Sequence, residues 1–194
     1  MWRRDVCLMK ALSFVFQTGR KPLATSAAIP DMPIVTLQIE IRAPVERVFD
    51  LARSIDLHCV STAATGETAI AGRTTGLIGL GEEVTWRARH FGIRQALTSR
   101  ITAFSRPDHF RDSMVQGAFR RFDHDHFFVA RGESTLMKDV FDFTSPGGIV
   151  GRAMDGLLLN SYMRRLLEER NRVIKEIAEG DVWKQFLIKD GSEK

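Results

Sequence analysis

Two histidines and one aspartate are the residues of this chain best suited to chemistry at a buried site. His124 and His126 are two residues apart, so both side chains lie on one face of the β-strand that their surroundings predict. Phe122 and Phe128 share that face, and its aromatic character predicts that it points inward. Asp139 occurs among apolar residues of a second strand pattern. Because an unpaired buried charge is very costly, we expect Asp139 to pair with one of the histidines.

Such a His–Asp pair is compatible with several roles, and the sequence leaves them open. It can be a structural pair in a core wall, a polar contact that orients a ligand, or an acid–base pair in which Asp139 orients His124 or His126. A metal site is disfavoured, because no Cys or Glu cluster supplies the third and fourth ligands that two strand histidines require. We therefore expect no metal and no other cofactor.

Two further aspartates alternate with these histidines along the same strand. Asp123 and Asp125 must therefore fall on the opposite face. We expect that face to be exposed, with Arg120 and Arg121 beside the two carboxylates.

A third strand pattern mixes apolar and hydrogen-bonding residues on one face, as the wall of a small-molecule pocket does. Phe110, Asp112 and Met114 share this face, although Asp112 has the alternative of pairing with an arginine in water. Trp86, on an earlier strand, is interpreted as cavity wall or core. The candidate ligand-binding residues are Trp86, Phe110, Asp112, Met114, Phe122, His124, His126, Phe128, Asp139, Phe141 and Leu157.

Other kinds of catalytic and binding site lack their sequence signatures. No Gly-rich phosphate loop opens a helix after a strand, and no Gly-x-Ser-x-Gly motif occurs. The two cysteines, Cys7 and Cys59, have neither metal-ligand spacing nor a recognisable base partner. Their scarcity is typical of a reducing compartment, and we expect a cytoplasmic protein.

The elements that must position these residues follow from the hydrophobic periodicity. Alternation of apolar residues predicts a strand over Ile34–Ile41, and Pro44 with Glu46 predicts a helix start. A short helix is expected around 56–60. Period-two patterns bounded by Gly and Pro then predict strands at 68–71, 83–90, 93–104, 109–116, 121–130 and 135–144.

The last periodic segment is one long amphipathic helix over 149–179, in which Leu157 belongs to the apolar stripe. A curved antiparallel sheet of about seven strands exposes a concave apolar face, and only this helix is long enough to cover it. The sequence therefore predicts an α+β helix-grip fold in which the sheet wraps around the C-terminal helix. Such a sheet and helix commonly leave a cavity between them.

The net charge of +4 is concentrated near the N-terminus. Residues 1–31 contribute +3, and the remainder is nearly balanced at +1, which disfavours nucleic-acid binding. No apolar run approaches the ~20 residues of a membrane span. We interpret 1–31 as a disordered extension or as residues upstream of a start at Met32, with an amphipathic helix and a targeting segment as alternatives. A ligand-binding domain over 32–180 and a tail over 181–194 complete the predicted organisation.

Several short motifs occur in an order that resembles one protein superfamily. They are Ile41-x-Ala43-Pro44-x-x-x-Val48-Phe49, Phe110-Arg111-Asp112, the Gly-x-Phe and His-x-His motifs within 117–128, Met137-Lys138-Asp139-Val140-Phe141, and Pro146-Gly147-Gly148. This order resembles the START and polyketide-cyclase-like (SRPBCC) superfamily, especially a branch of small bacterial proteins with a His-x-His strand. The resemblance covers about residues 33–179. It implies the helix-grip fold and a cavity for a small molecule.

The superfamily's roles are diverse, so the resemblance does not settle the chemistry. It includes lipid and hormone carriers, polyketide cyclases, chaperone-activating domains and quality-control factors. Our leading interpretation is a protein that binds a lipid, isoprenoid, polyketide or aromatic metabolite without acting on it. The first alternative is a cyclase or dehydrase that uses His124 or His126 with Asp139. The second is a protein-interaction module with a filled core, and the oligomeric state is left open.

Overall fold

Seven strands form a single curved sheet in the computed structural model, which describes residues 34–144 and 158–187. The strands are β1 (Ile34–Ile41), β2 (Thr68–Gly72), β3 (Glu83–His90), β4 (Ile93–Ser105), β5 (His109–Gln116), β6 (Arg121–Arg131) and β7 (Ser134–Thr144). Their order in the sheet is β1-β7-β6-β5-β4-β3-β2, and all neighbours are antiparallel. The strands from β2 to β7 form a meander, and β1 joins it by pairing with β7. The predicted fold class is confirmed, and every predicted strand end lies within one residue.

Within the described residues, four α-helices accompany the sheet. They are α1 (Val45–Ala52), α2 (Ile55–Ser61), α3 (Asn160–Glu179) and the short α4 (Lys184–Leu187). Pro44 precedes α1 as its N-cap with φ of −58°, and the Ser54 side chain caps α2 by accepting a hydrogen bond from the Leu57 amide. The predicted helix over 149–179 ends where expected, whereas its first residues, including Leu157, lie outside the described residues.

The apolar core lies between the inner face of the sheet and the helices. Helix α3 contacts β1, α1 and α2. Phe49 of α1 is fully buried and makes edge-to-face contacts with Phe104, Phe110 and Phe128, at centroid distances of 5.4, 5.4 and 5.2 Å. These contacts fix α1 against β4, β5 and β6.

Strict alternation along β7 places one carboxylate inside this core. Met137, Asp139, Phe141 and Phe143 are all buried, and the residues between them are partly exposed. The register of β6 and β7 pairs His126 with Asp139 directly. The inward face predicted for the histidines and for Asp139 is therefore the face observed.

The outer face of β6 differs from its prediction. Asp125 is buried, and its carboxylate accepts hydrogen bonds from Arg111 at 2.8 Å and from His109 at 2.7 Å. The expectation of an exposed Asp125 beside Arg120 and Arg121 is wrong, because long side chains from the neighbouring β5 cover it. Asp123 does approach Arg121, at 3.5 Å.

The hairpin that joins β3 and β4 has an unusual backbone. Phe91 and Gly92 have positive φ angles of 51° and 81°, as a two-residue turn of type I′ requires. Phenylalanine rarely adopts this conformation, because its Cβ approaches the following carbonyl oxygen. The turn nevertheless places the Phe91 ring against Tyr162 of α3, with the ring centroids 4.5 Å apart.

The described residues belong to one compact unit that spans Met32–Lys194. Within residues 34–144 and 158–187, none of the helices is long and apolar enough to cross a membrane. The structure does not test the domain boundaries predicted from the sequence, and they stay predictions.

Candidate functional site

A cavity of about 310 Å³ lies between the sheet and α3. Most of its wall is apolar, and it includes Ala88 of β3, Leu97 of β4, and Met163 and Leu166 of α3. A smaller cavity of about 100 Å³ adjoins it. The two share part of their walls, namely His58, Trp86, Ser99, Asp112, His124, Leu167 and Arg170.

His126 lies between two carboxylates at the boundary of the smaller cavity. Its Nδ1 is 2.6 Å from Asp139 Oδ1, and its Nε2 is 3.1 Å from Asp112 Oδ1. An ionised carboxylate only accepts hydrogen bonds, so both ring nitrogens must donate and the imidazole is positively charged. Burial lowers the pKa of His126, but the hydrogen bonds to Asp112 and Asp139 outweigh burial and leave the pKa above its ordinary value.

His124 lies beside His126 but, unlike His126, is uncharged. Its Nδ1 is 3.8 Å from Asp112 Oδ1 and its Nε2 is 3.2 Å from Asp139 Oδ1, but Nε2 makes no hydrogen bond with that oxygen. Burial and the positive charge of His126 lower the pKa of His124. His124 is therefore neutral at pH 7, and it lines both cavities.

Asp139 lies behind the two imidazoles and is fully shielded from solvent, with 0% of its surface exposed. Burial would raise its pKa, but the adjacent His124 and His126 hold the pKa of this carboxyl well below its usual value. Its second oxygen accepts a hydrogen bond from Asn171 of α3. Arg170 Nη1 is 3.8 Å from the first oxygen. A fixed carboxylate thus orients the His126 imidazole by a hydrogen bond and lies 3.2 Å from Nε2 of His124.

Asn171 and Arg170 are functional candidates that the sequence analysis missed. Both are buried, and Arg170 also donates to the Ala52 carbonyl oxygen at 2.8 Å. These two residues interrupt the apolar stripe of the helix, and this interruption is visible in the sequence. Leu167 and Ile174 are seven residues apart, and the positions three and four residues after Leu167 hold Arg170 and Asn171 instead of apolar residues.

A second set of wall residues, which we call the mouth cluster, consists of four polar side chains and one aromatic ring: His58, Glu67, His90, Tyr162 and Phe91. His90 Nδ1 and the Tyr162 hydroxyl are 2.7 Å apart, and His58 Nε2 is 3.4 Å from Glu67 Oε2. All five residues line the larger cavity, and Phe91 is 66% exposed, so the cavity reaches the surface here. The sequence analysis assigned none of them to the site, since their proximity depends on where α2 and α3 lie relative to β3.

The structure divides the predicted ligand-binding residues into three groups. Trp86, Asp112, Phe122, His124 and Phe141 line the larger cavity, whereas Phe110 and His126 line only the smaller one. Phe128, Asp139 and Met114 line neither of these two cavities. Phe128 and Asp139 are buried behind the wall, and Met114 packs against the cluster of Val35, Phe122, Phe141, Phe143 and Leu167.

The folded chain brings one further ligand-type group to the two histidines, although the sequence analysis expected no metal. Asp112 supplies the third ligand-type group, since one oxygen or nitrogen atom from each of Asp112, His124 and His126 lies within 4.8 Å of the others. The sequence did not show this, because Asp112 approaches the histidines through the pairing of β5 with β6.

Solved structures with the same fold include three from different organisms. The protein TTHA0849 from Thermus thermophilus aligns with a TM-score of 0.61 and 19% identity, covering 74% of this chain and 95% of that one. A START superfamily protein from Mycobacterium smegmatis aligns with a TM-score of 0.58 and 13% identity, covering 75% of this chain and 97% of that one. The major latex-like protein 151 from Panax ginseng aligns with a TM-score of 0.57 and 16% identity, covering 76% of this chain and 97% of that one.

At these identities the alignments show a shared fold, which is the helix-grip fold that the motif order predicted. No protein-family model and no curated protein matches the sequence.

Proposed function

We propose that this protein binds a small, largely apolar molecule in the cavity between the sheet and α3. The observation that carries this proposal is the cavity itself, about 310 Å³ in volume and mostly apolar in its wall. Ligand pockets commonly have volumes of about 300–1,000 Å³ and combine an apolar wall with a few polar groups.

The polar groups of the cavity wall indicate which functional groups and which charge a ligand needs. At the inner end, His124 is neutral and Asp112 faces the cavity, while the mouth cluster contributes hydrogen-bonding groups at the outer end. The inner charges balance, because Asp112 and Asp139 are negative whereas His126 and Arg170 are positive. We therefore infer a ligand with an apolar body and an uncharged hydroxyl or carbonyl group. Lipids, isoprenoids, polyketides and aromatic metabolites include such molecules.

Native mass spectrometry of the purified protein tests this proposal directly. We expect an additional mass of a small molecule under non-denaturing conditions, which organic extraction removes. The extracted protein should then bind N-phenylnaphthylamine, a neutral apolar fluorophore, with a single saturable site. Extracted protein that fails to bind this probe while keeping its fold would contradict the proposal.

Acid–base catalysis is the second candidate function, and one observation favours it. His124 is neutral, lines the larger cavity and has Asp139 3.2 Å from its Nε2, so it has the charge state that a general base requires. His126 is less suited, because both of its nitrogens are occupied by carboxylates. If turnover of a candidate polyketide or hydroxylated substrate persists in His124→Ala, this second candidate is wrong.

The third interpretation from the sequence, an interaction module with a filled core, has less support. A core of that kind leaves no room for a ligand, whereas the described residues line a cavity of about 310 Å³.

A further inference from the structure

We propose that Asp112, His124 and His126 form a binding site for one divalent first-row transition-metal ion. The three side chains come from neighbouring strands, since Asp112 of β5 pairs directly with His124 of β6. One ligand atom of each lies within 4.8 Å of the others. This inference is independent of the identity of the molecule that occupies the larger cavity.

The distances among these atoms are close to those around a bound ion. Asp112 Oδ1 is 3.1 Å from His126 Nε2 and 3.8 Å from His124 Nδ1. Zinc binds nitrogen and oxygen ligands at about 2.0–2.2 Å, so adjacent ligands around it are roughly 3–3.5 Å apart. Of these two distances, the one between Asp112 Oδ1 and His124 Nδ1 would have to shorten by a few tenths of an ångström around one ion. The ion would take the place of the proton on His126 Nε2, which is released to solvent, and would replace the hydrogen bond from this nitrogen to Asp112.

The surroundings of the three groups resemble the outer shell of a metal site. Metal-binding histidines usually direct their second ring nitrogen at a carboxylate, which fixes the ring and raises its basicity. Here the second nitrogens of both histidines approach the same atom, Asp139 Oδ1, at 2.6 and 3.2 Å. Asn171 holds the other oxygen of Asp139. One buried carboxylate therefore holds His126 by a hydrogen bond and lies beside the second nitrogen of His124.

The fourth side of the site faces the cavities. Asp112 and His124 line both of them, so a water molecule or an oxygen atom of a ligand has access to an ion held there. Two imidazoles with one carboxylate and an open position suit zinc(II), iron(II) or cobalt(II). They do not suit magnesium or calcium, which prefer oxygen ligands throughout.

The test is titration of the full chain, free of any added histidine tag and treated with chelator, with cobalt(II). We expect one equivalent to bind saturably and to give the visible absorption of cobalt coordinated by nitrogen and oxygen. Zinc(II) should displace it. Asp112→Asn, His124→Ala and His126→Gln should each weaken binding at least tenfold, and Asp139→Asn should weaken it by about 10–100-fold through the histidines.

His109→Ala is the matched control. His109 also pairs with an aspartate, Asp125, but it lies at the outer face of the same strand pair. This variant should bind cobalt(II) like the parent protein, and circular dichroism should show that all variants are folded. Absence of saturable binding in the parent protein would overturn the inference, as would undiminished binding in a folded His124→Ala/His126→Gln variant. Binding of N-phenylnaphthylamine with no binding of cobalt(II) would reject the metal site alone.

Discussion

Asn171 of α3 donates a hydrogen bond to Asp139 of β7. These two residues are 32 positions apart in the sequence and belong to the two layers that enclose the cavity. The bond satisfies the carboxylate oxygen that the histidines leave free. It therefore joins the placement of the helix to the orientation of His126.

Replacement of Asn171 by leucine tests the energy of this contact. Asn171→Leu keeps the number and branching of the heavy atoms but removes the amide, so one oxygen of a buried carboxylate loses its donor and Arg170 loses an acceptor at 3.3 Å. Hydrogen bonds to charged groups contribute about 1.5–3 kcal/mol. We predict that the free energy of unfolding falls by about 2 kcal/mol, as measured by urea denaturation.

A double-mutant cycle with Asp139→Asn supplies the control. In the Asp139→Asn background, Asn171→Leu should cost less than in the parent protein, because the charged acceptor is already lost. An equal cost in both backgrounds would mean that the hydrogen bond contributes nothing.

Tyr162 is the only tyrosine of the chain, so its ionisation can be followed by ultraviolet absorption without interference from other phenols. Burial and the negative charge of Glu67 raise the pKa of Tyr162 above 10.0. We predict that Glu67→Gln lowers the midpoint of this titration. Glu168→Gln, at an exposed position of the same helix, should leave it unchanged. A midpoint at or below 10.0 in the parent protein would contradict the observed position of the phenol in the mouth cluster.

The strained turn at Phe91 predicts a difference between two substitutions that remove the same ring. Asparagine tolerates positive φ angles better than alanine, and the left-handed conformation costs most residues about 1–2 kcal/mol. We predict that Phe91→Asn is about 1 kcal/mol more stable than Phe91→Ala. Denaturation curves measure the difference. Equal stability of the two variants would argue against the φ of 51°.

Asp50 lines neither cavity, and its ionisation makes the stability of the fold depend on pH. Burial raises the pKa of Asp50, but hydrogen bonds from Arg106 at 2.7 Å and from Arg53 at 2.9 Å outweigh burial and leave the pKa below its ordinary value. A carboxyl with a depressed folded-state pKa stabilises the fold above its unfolded pKa of about 3.9, and this stability is lost as the pH falls through the folded value.

We therefore predict that Asp50→Asn is less stable than the parent protein at about pH 7, and that the difference shrinks below about pH 4. Thermal denaturation across this range measures it. A difference in the free energy of unfolding that is the same at every pH would show that Asp50 is not held in these ion pairs.

Much of the sheet could be predicted because each strand carries its own period-two pattern. The same alternation showed that His124 and His126 face inward with Phe122 and Phe128, and that Asp139 needs a partner. These inferences require only local spacing together with the cost of an unpaired buried charge.

The rest of the site depends on contacts that no local pattern encodes. Asp112 comes within reach of His126 only because β5 pairs with β6 in one particular register. Asn171 and Arg170 reach Asp139 only once α3 lies on the sheet, although the gap they leave in the apolar stripe was visible in the sequence. Tyr162 and His90 meet for the same reason, since one is on α3 and the other ends β3.

A larger side chain in the cavity wall tests most directly whether a ligand binds between the sheet and α3. Ala88 is buried in β3 and lines the larger cavity, whereas Ala130 is exposed at the end of β6. We predict that Ala88→Leu lowers the affinity for N-phenylnaphthylamine at least tenfold while the protein stays folded, and that Ala130→Leu leaves the affinity unchanged. Probe binding by Ala88→Leu that equals binding by the parent protein would show that the molecule is bound elsewhere, and would contradict a ligand site between the sheet and α3.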